Sequence, residues 1–267
     1  MGKDITLGQY YPTDSVIHGL DPRVKIIGTL LFIISLFAYK GVAGFLLVSV
    51  FLFAMLFLSK IPLSYTLKGI RGIYVLCMIT AVFNLLFTAG TPVIQWKAVI
   101  ITEEGIQTAV TIALRLIYLV LGTSLMTLST TPNQLTHGLE KSCGFLKSFK
   151  VPVHEIAMMM TIALRFIPIL MEEADKIKKA QMARGADFES GNLIRKAKNM
   201  LPILVPLFVS AFRRANDLAL AMESRCYHGG EGRTQLRPLT YGRNDRIAYI
   251  VVCVYLAAVI CLRIIIK

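Results

Sequence analysis

Long runs of apolar residues alternate with short polar stretches along most of this chain. Five such runs cover residues 24–39, 41–58, 72–87, 105–128 and 247–266. A helix needs roughly 20 apolar residues to cross the hydrocarbon core of a bilayer. The pattern therefore predicts an all-α membrane protein with about five transmembrane helices, six being the alternative number.

The first apolar run is slightly short for a complete span, and only Lys40 and Gly41 interrupt it before the second. It fits a short span on its own, one arm of a tight hairpin, or the first part of a broken helix. Asp21 can accept from free backbone N–H groups and Pro22 suits a first helical position, so the helix begins here. Arg23 and Lys25 would then lie at its foot, within reach of lipid headgroups or water.

Residues 129–246 hold most of the charge of the chain. An amphipathic segment at 131–149 is predicted to lie along the membrane surface. Two long helices follow, from about residue 154 to 184 and from about 201 to 224. Each starts apolar and proline-containing, turns charged, and keeps one apolar stripe, which is typical of a helix packed on one side. We expect the two to cross, packing on each other or under the transmembrane helices.

Each of these two helices ends at an arginine between small residues. We call Ala183-Arg184-Gly185 the first arginine motif and Ser224-Arg225-Cys226 the second. A cation near a helix C-terminus is favoured by the backbone dipole, by about 0.3–1 kcal/mol, and this is one explanation. The other is docking, because a planar guanidinium beside small residues can enter a groove and bind carboxylate or carbonyl oxygens. Gly185 is expected to terminate the first helix.

A charged residue inside an apolar run is a candidate for function, and Arg115 lies within the run 105–128. The alternative is an arginine whose side chain extends toward the outer membrane face, near Glu103 and Glu104. Both interpretations remain open at the level of sequence.

The composition supports a membrane protein, since 55% of the residues are hydrophobic and the mean hydropathy is +0.63. The net charge of +13 could suggest nucleic acid, but lysine and arginine also collect on the cytoplasmic side of membrane proteins. The basic segments share one side if four spans precede residue 129. We expect a cytoplasmic N-terminus, the lipid bilayer as a partner, and no nucleic acid.

This topology divides the chain into three parts. Residues 1–128 would hold a polar N-terminal segment, residues 1–23, which we call the lead, and four transmembrane helices. Residues 129–246 would form a cytoplasmic coupling domain. Residues 247–267 would form the C-terminal transmembrane helix. The segments 59–71 and 89–104 would be loops, and 187–199 a polar link between the two long helices.

The sequence offers no pattern for catalysis or metal binding. Its five cysteines and four histidines are dispersed, and the glycine-rich stretch 229–234 lacks the lysine and spacing of a phosphate-binding loop. We expect no cofactor, no metal and no catalytic residue. An integral membrane enzyme and a self-sufficient secondary transporter are the alternatives. The first needs a convergent catalytic set, and the second needs acidic or histidine residues within its spans.

The chain resembles the transmembrane T component of energy-coupling factor (ECF) transporters, the family that includes the cobalt-transporter membrane subunit. The matching features are the stretch Leu20-Asp21-Pro22-Arg23-Val24-Lys25, the order of spans around a long cytoplasmic insertion, and the two arginine motifs. The resemblance implies a bacterial multi-pass cell-membrane protein. It would couple two ABC-type ATPase subunits, which bind ATP and magnesium, to a substrate-binding S component for vitamin or metal-ion uptake.

By the same resemblance, the ATPase-binding residues are Ala183, Arg184, Gly185, Ser224, Arg225 and Cys226. The second motif departs from the Ala-Arg-Gly pattern of the first, because serine and cysteine replace alanine and glycine. Both replacements are small, so docking is still expected. Cys226 is interpreted as a small packing residue and not as a redox site.

Overall fold

A computed structural model describes residues 10–39, 41–96, 99–188, 192–230 and 238–265. Regular structure in these residues is almost entirely helical, which confirms the predicted all-α fold class. The helices are α1 (Pro22–Ala38), α2 (Gly41–Ser59), α3 (Leu63–Phe87), α4 (Glu103–Ser129), α5 (Pro132–Ser142), α6 (Val153–Ala183), α7 (Leu193–Asn199), α8 (Leu201–Glu223) and α9 (Arg243–Ile265). A 3₁₀ helix covers Cys143–Phe149, and strands β1 (Pro92–Trp96) and β2 (Val99–Thr102) pair antiparallel.

Helices α1, α2, α4 and α9 pack around a shared apolar core, and α3 packs along α4. The centre of this core is aromatic: the rings of Phe51 and Tyr255 stack with centroids 3.9 Å apart, and Phe32 stacks on both. Gly122 of α4 leaves the space that the Phe32 ring occupies, since a side chain there would overlap it. The bundle is thus fixed by one interlocked layer from all four helices.

The chain reverses direction between the first two apolar runs, which decides one of the alternatives that the sequence left open. Phe32 in α1 stacks on Phe51 in α2, although 19 positions separate them along the chain. Close to the turn, Gly44 packs on Tyr39, and a Cβ at Gly44 would come within 2.9 Å of the Tyr39 Cβ. A single broken helix is therefore wrong, whereas the short span and the tight hairpin stay predictions.

Helix α1 begins where the sequence predicted. The Asp21 carboxylate accepts from the Arg23 backbone N–H at 2.9 Å, and Pro22 takes the first helical position. The same carboxylate binds the Arg23 guanidinium at 2.7 Å, and the Asp21 backbone N–H donates to Asp245 of α9 at 2.8 Å. Burial alone would raise the pKa of Asp21, but the hydrogen bonds and charge of Arg23 outweigh it and lower the pKa.

Lys25 does not reach toward lipid headgroups, so that prediction is wrong. Its side chain is buried, and its ammonium donates to the backbone oxygens of His18 at 3.1 Å and Ser129 at 2.8 Å. Tyr11 N–H also donates to the Leu128 oxygen at 2.9 Å. The lead, the start of α1 and the end of α4 therefore meet at one end of the bundle, where backbone carbonyls stabilise a buried cation.

Three predicted loops contain regular structure. Helix α3 begins at Leu63, inside the predicted basic loop 59–71. The predicted loop 89–104 contains the β1–β2 pair, in which Pro92 is opposite Thr102 and Trp96 opposite Val99. The predicted link 187–199 contains α7. Each segment is short and mixed in polarity, so hydropathy alone did not separate helix or strand from loop.

Four described helices, α2, α4, α6 and α9, are long and apolar enough to cross a membrane by length and composition. The protein is therefore a multi-pass membrane protein. Helix α1 has 17 residues, which is about 25 Å at 1.5 Å per residue and slightly short for a core of about 30 Å. Helix α6 is long and apolar enough to cross a membrane because of its apolar first half, although it was predicted to lie in the cytoplasmic region.

The chain forms two compact units. The first contains residues 1–142 and 239–267, and the second contains residues 143–238. These units group residues by packing, whereas the division at 128 and 246 refers to the two sides of the membrane. The division by membrane side stays a prediction.

Candidate functional site

The two arginine motifs lie at the ends of α6 and α8, the long helices of the second unit. Helix α6 has 31 residues and contains Pro168, and α8 has 23 residues and contains Pro206. A proline inside a helix removes one backbone hydrogen bond and favours a bend. Both helices lie within one or two residues of their predicted bounds, so the repeated design of apolar start and charged end is confirmed.

A groove between α6 and α8 is lined mainly by apolar side chains. The side of α8 presents small residues at every fourth position, Ala211, Ala215 and Ala219, and small side chains allow helices to approach closely. The residues lining the groove are Ile162, Phe166, Leu170, Ala211, Arg214, Ala215, Leu218, Ala219 and Met222. The expected packing of the two helices on each other is confirmed. On the α6 side, however, the groove is lined by residues of the apolar first half of the helix.

The first arginine motif ends α6 in a tight turn. The Gly185 N–H donates to the Met182 oxygen and the Ala186 N–H to the Gln181 oxygen, both at 3.0 Å. This pair of bonds satisfies carbonyls that the helix end leaves open, and it requires a left-handed residue at Gly185. Gly185 has φ +88°, which confirms its predicted role as helix terminator.

The second arginine motif ends α8 with the same hydrogen bonds. The Cys226 N–H donates to the Glu223 oxygen at 2.9 Å, and the Tyr227 N–H donates to the Met222 oxygen at 3.0 Å. Cys226 has φ +55°, so a cysteine takes the left-handed position that glycine takes in the first motif. From the sequence, Cys226 was interpreted only as a small packing residue, and its role in ending the helix in a left-handed conformation was not predicted.

The matching turns present Arg184 and Arg225 in the same way, each directly before the left-handed residue. All six motif residues are exposed, including Ala183 and Ser224. Within the described residues, neither guanidinium forms a hydrogen bond or ion pair. Each motif is therefore a solvent-facing cation beside small residues, with a backbone held in a defined turn.

Comparison with known proteins identifies the family. The model of the CbiQ family, described as "Cobalt transport protein", matches residues 13–236. The chain belongs to the CbiQ/EcfT family. Relatives named energy-coupling factor transporter transmembrane protein EcfT include one from Clostridium kluyveri, 54% identical over 250 residues and covering 93% of each chain. One from Bacillus subtilis is 44% identical over 261 residues, covering 97% of this chain and 98% of its own.

Membership in the CbiQ/EcfT family confirms the resemblance stated from the sequence. A further relative with the EcfT name, from Ruminiclostridium cellulolyticum, is 47% identical over 260 residues and covers 97% of each chain. Because the matches run across nearly the whole length, the chain is a transmembrane component of an ECF transporter. The role of the six motif residues stays a prediction.

Arg115 of this EcfT-family chain packs on aromatic rings. Its guanidinium carbon lies 5.5 Å from the ring centroids of both Phe37 and Tyr39, at the end of α1, a distance at which a cation is attracted to ring faces. Glu104 is 11 residues away on the same helix, roughly 17 Å along its axis, and it accepts instead from Thr91. This geometry argues against an ion pair between Arg115 and Glu104.

A polar contact between α6 and α8 was missed by sequence reasoning. The Glu173 carboxylate accepts from the Ser210 hydroxyl and from the Arg214 guanidinium at 2.8 Å. A sequence indicates charge pairs within one helix from their spacing, but gives no spacing rule for a pair across two helices. The available signal was that Ser210 and Arg214 are four residues apart, and therefore on one face of α8.

Metal-binding side chains do not gather in the described part of the chain: no three histidine, cysteine or acidic side chains are placed to share an ion. His18, for example, bonds Ser15 and the Tyr11 oxygen. The expected absence of a bound metal or cofactor stays a prediction.

Proposed function

We propose that this protein couples two ABC-type ATPase subunits to a substrate-binding S component, so that ATP hydrolysis drives uptake of a vitamin or metal ion. The observation that carries the proposal is the pair of exposed arginine motifs, which end two packed helices in the same hydrogen-bonded turn. Two equivalent docking elements suit two similar partners. ATP and magnesium bind to the ATPase subunits in this scheme, and the chain itself has no catalytic role.

The chemistry of the motifs favours docking over a mere interaction with the helix dipole. A lysine would satisfy the dipole equally well, whereas a guanidinium offers a planar set of donors for carboxylate or carbonyl oxygens. Small neighbours at Ala183 and Ser224 leave the guanidinium accessible, and the turn fixes the backbone that carries it. Each arginine would then enter a groove on one ATPase subunit.

The apolar faces of α6 and α8 supply the second part of the proposal. Several large apolar side chains on these helices are exposed, among them Met159, Val205, Phe208 and Phe212. Such surface is unfavourable in water and marks a contact with lipid or with another membrane protein. Movement of the ATPases would act on the arginine motifs, shift the paired helices, and change the contact with the S component.

Reversing the charge of both arginines tests this function. Arg184→Glu with Arg225→Glu is expected to lose co-purification of the ATPase pair and to lose uptake. Lys178→Glu with Arg213→Glu is the matched control, because it reverses two exposed cations on the same helices away from their ends. If the motif variant retains both ATPases and supports uptake, the proposed function is wrong.

A further inference from the structure

Glu173, Ser210 and Arg214, which we call the Glu173 cluster, form a polar contact in the middle of an otherwise apolar interface. One carboxylate oxygen of Glu173 accepts from Ser210 and the other accepts from Arg214 at 2.8 Å. The side chains are partly shielded, with 24% of Glu173 and 41% of Arg214 exposed. Glu173 is the hydrogen-bond partner of the Arg214 guanidinium among the described residues, where the buried Arg214 Nε has none.

The cluster lies at the same distance from both arginine motifs along the helices. Eleven residues separate Glu173 from Arg184 on α6, and eleven separate Arg214 from Arg225 on α8. Each distance is about 17 Å at the helical rise of 1.5 Å per residue. Two segments of equal length therefore extend from one contact to the two motifs.

The two segments extend in opposite directions. Leu170 and Phe166 precede Glu173 on α6, and they share a groove with Leu218 and Met222, which follow Arg214 on α8. The helices therefore run antiparallel through the contact. A displacement of one motif along its helix is passed to the other motif only if α6 does not slide on α8.

The apolar part of the interface resists sliding weakly. The alanines on α8 recur every four residues, so a shift by four residues, about 6 Å, brings small residues opposite the same α6 side chains. Ser210 and Arg214 are also four apart, but both bond one carboxylate. A shift of α8 by four residues would break at least one of these bonds. In the direction that moves Arg214 away from the carboxylate, it would also leave Glu173 and Arg214 poorly paired in a partly shielded site.

We propose that Glu173, held by Ser210 and Arg214, fixes the register of α6 on α8 so that the two arginine motifs move as one body. These are positioning residues and not docking residues. The inference rests on the proposed function, because register matters for transport only if both motifs bind ATPases.

The test uses the complete complex of this chain with both ATPases and an S component in liposomes, with a tritiated vitamin that the S component binds as probe. The variants are Glu173→Gln and Arg214→Gln, and the matched controls are Glu172→Gln and Arg213→Gln, which change the neighbouring exposed charges. We expect the cluster variants to keep both ATPases and ATP hydrolysis, while the vitamin transported per ATP falls about tenfold. The control variants should transport like wild type.

A charge exchange separates register from simple loss of a side chain. Glu173→Arg combined with Arg214→Glu restores opposite charges across the helices and is expected to recover a large part of the lost transport. Spin labels introduced at Met182 and Glu223 should show a broader distance distribution in the single variants than in wild type or the exchange variant. Wild-type transport by Glu173→Gln, or an unchanged distance distribution, would overturn the inference.

The two proposals fail in distinguishable ways. If Arg184→Glu with Arg225→Glu still binds both ATPases, the proposed function fails. If that variant loses the ATPases while the cluster variants transport normally, only the register inference fails. Loss of the ATPases from Glu173→Gln would also overturn the inference, because it would make Glu173 part of assembly.

Discussion

The two arginine motifs differ at a single backbone-sensitive position. Gly185 adopts its left-handed φ of +88° without a side-chain penalty, whereas Cys226 adopts φ +55° with a Cβ. A left-handed residue other than glycine is disfavoured by about 1 kcal/mol. The structure therefore explains the Ala-Arg-Gly pattern of the first motif as a requirement of the turn, and the second motif as the more strained version of the same turn.

Cys226→Gly is therefore expected to stabilise the end of α8. The gain should be about 0.5 kcal/mol, because the added freedom of glycine in the unfolded chain offsets part of the relieved penalty. Thermal unfolding of the purified protein measures the change, and Gly185→Ala is the matched control, expected to destabilise by about 1 kcal/mol. A lower unfolding midpoint for Cys226→Gly would show that the cysteine side chain contributes more than its backbone strain.

Residue patterns predicted helix ends only where the signal was local. Asp21 with Pro22 and the terminating Gly185 lie where the sequence placed them, because caps depend on neighbours along the chain. The contact of Glu173 was not predicted, and the position of Lys25 was predicted wrongly, for the opposite reason. Their partners, Arg214 and the Ser129 oxygen, belong to other helices, and a charge pattern along one helix does not specify a partner on another.

At the scale of elements, the long apolar helices were predictable and the short segments were not. The bounds of α2 follow from a continuous apolar run, since burial in lipid or core determines them, whereas α9 begins at Arg243, four residues before its apolar run. The β1–β2 pair and α7 depend on turn geometry and pairing that hydropathy does not contain. The early start of α3 at Leu63 shows that a basic segment can be helical when it continues an apolar helix.

The lead is an element whose attachment should depend on pH. His18 Nε2 lies 3.0 Å from the Tyr11 oxygen, which can only accept, so Nε2 carries a proton, and Nδ1 lies 2.6 Å from the Ser15 hydroxyl oxygen. The neutral ring satisfies both contacts, with Nδ1 accepting from the hydroxyl. Burial lowers the pKa of His18 below its ordinary value of 6.5, and the nearby charge of Lys25 lowers the pKa further.

Because the folded protein holds this proton less strongly than the unfolded chain, stability is present above pH 6.5 and is lost as the pH falls through the lowered pKa. Wild type should lose more thermal stability between pH 7 and pH 5 than His18→Gln does. Asp21 does not change this comparison between wild type and His18→Gln. Its pKa is lowered from 3.8, so its contribution to stability is lost only below the pH range tested. An equal loss in both proteins would show that His18 does not control attachment of the lead.

At the scale of the whole molecule, the contacts of the first unit fix which segments share an end of the bundle. Tyr11 bonds Leu128 at the end of α4, and Asp21 bonds Asp245 at the start of α9. The 23 residues of α9 then carry the chain about 33 Å away. Positions near Asp14 and positions near Ile265 are therefore at opposite ends, as the predicted odd number of crossings requires.

The basic residues predict which end of the bundle faces the cytoplasm, and labelling of single cysteines tests this prediction. In a background with the five native cysteines replaced, Glu103→Cys and Ile265→Cys should react with a membrane-impermeant thiol reagent in intact cells. Asp14→Cys should react only after permeabilisation, because the lead would lie with the basic loops on the cytoplasmic side. All three positions are exposed, so burial does not limit the reaction. The reverse pattern would invert the orientation and place the lead outside. Equal access to Asp14→Cys and Ile265→Cys would contradict the packing of α9 against α1.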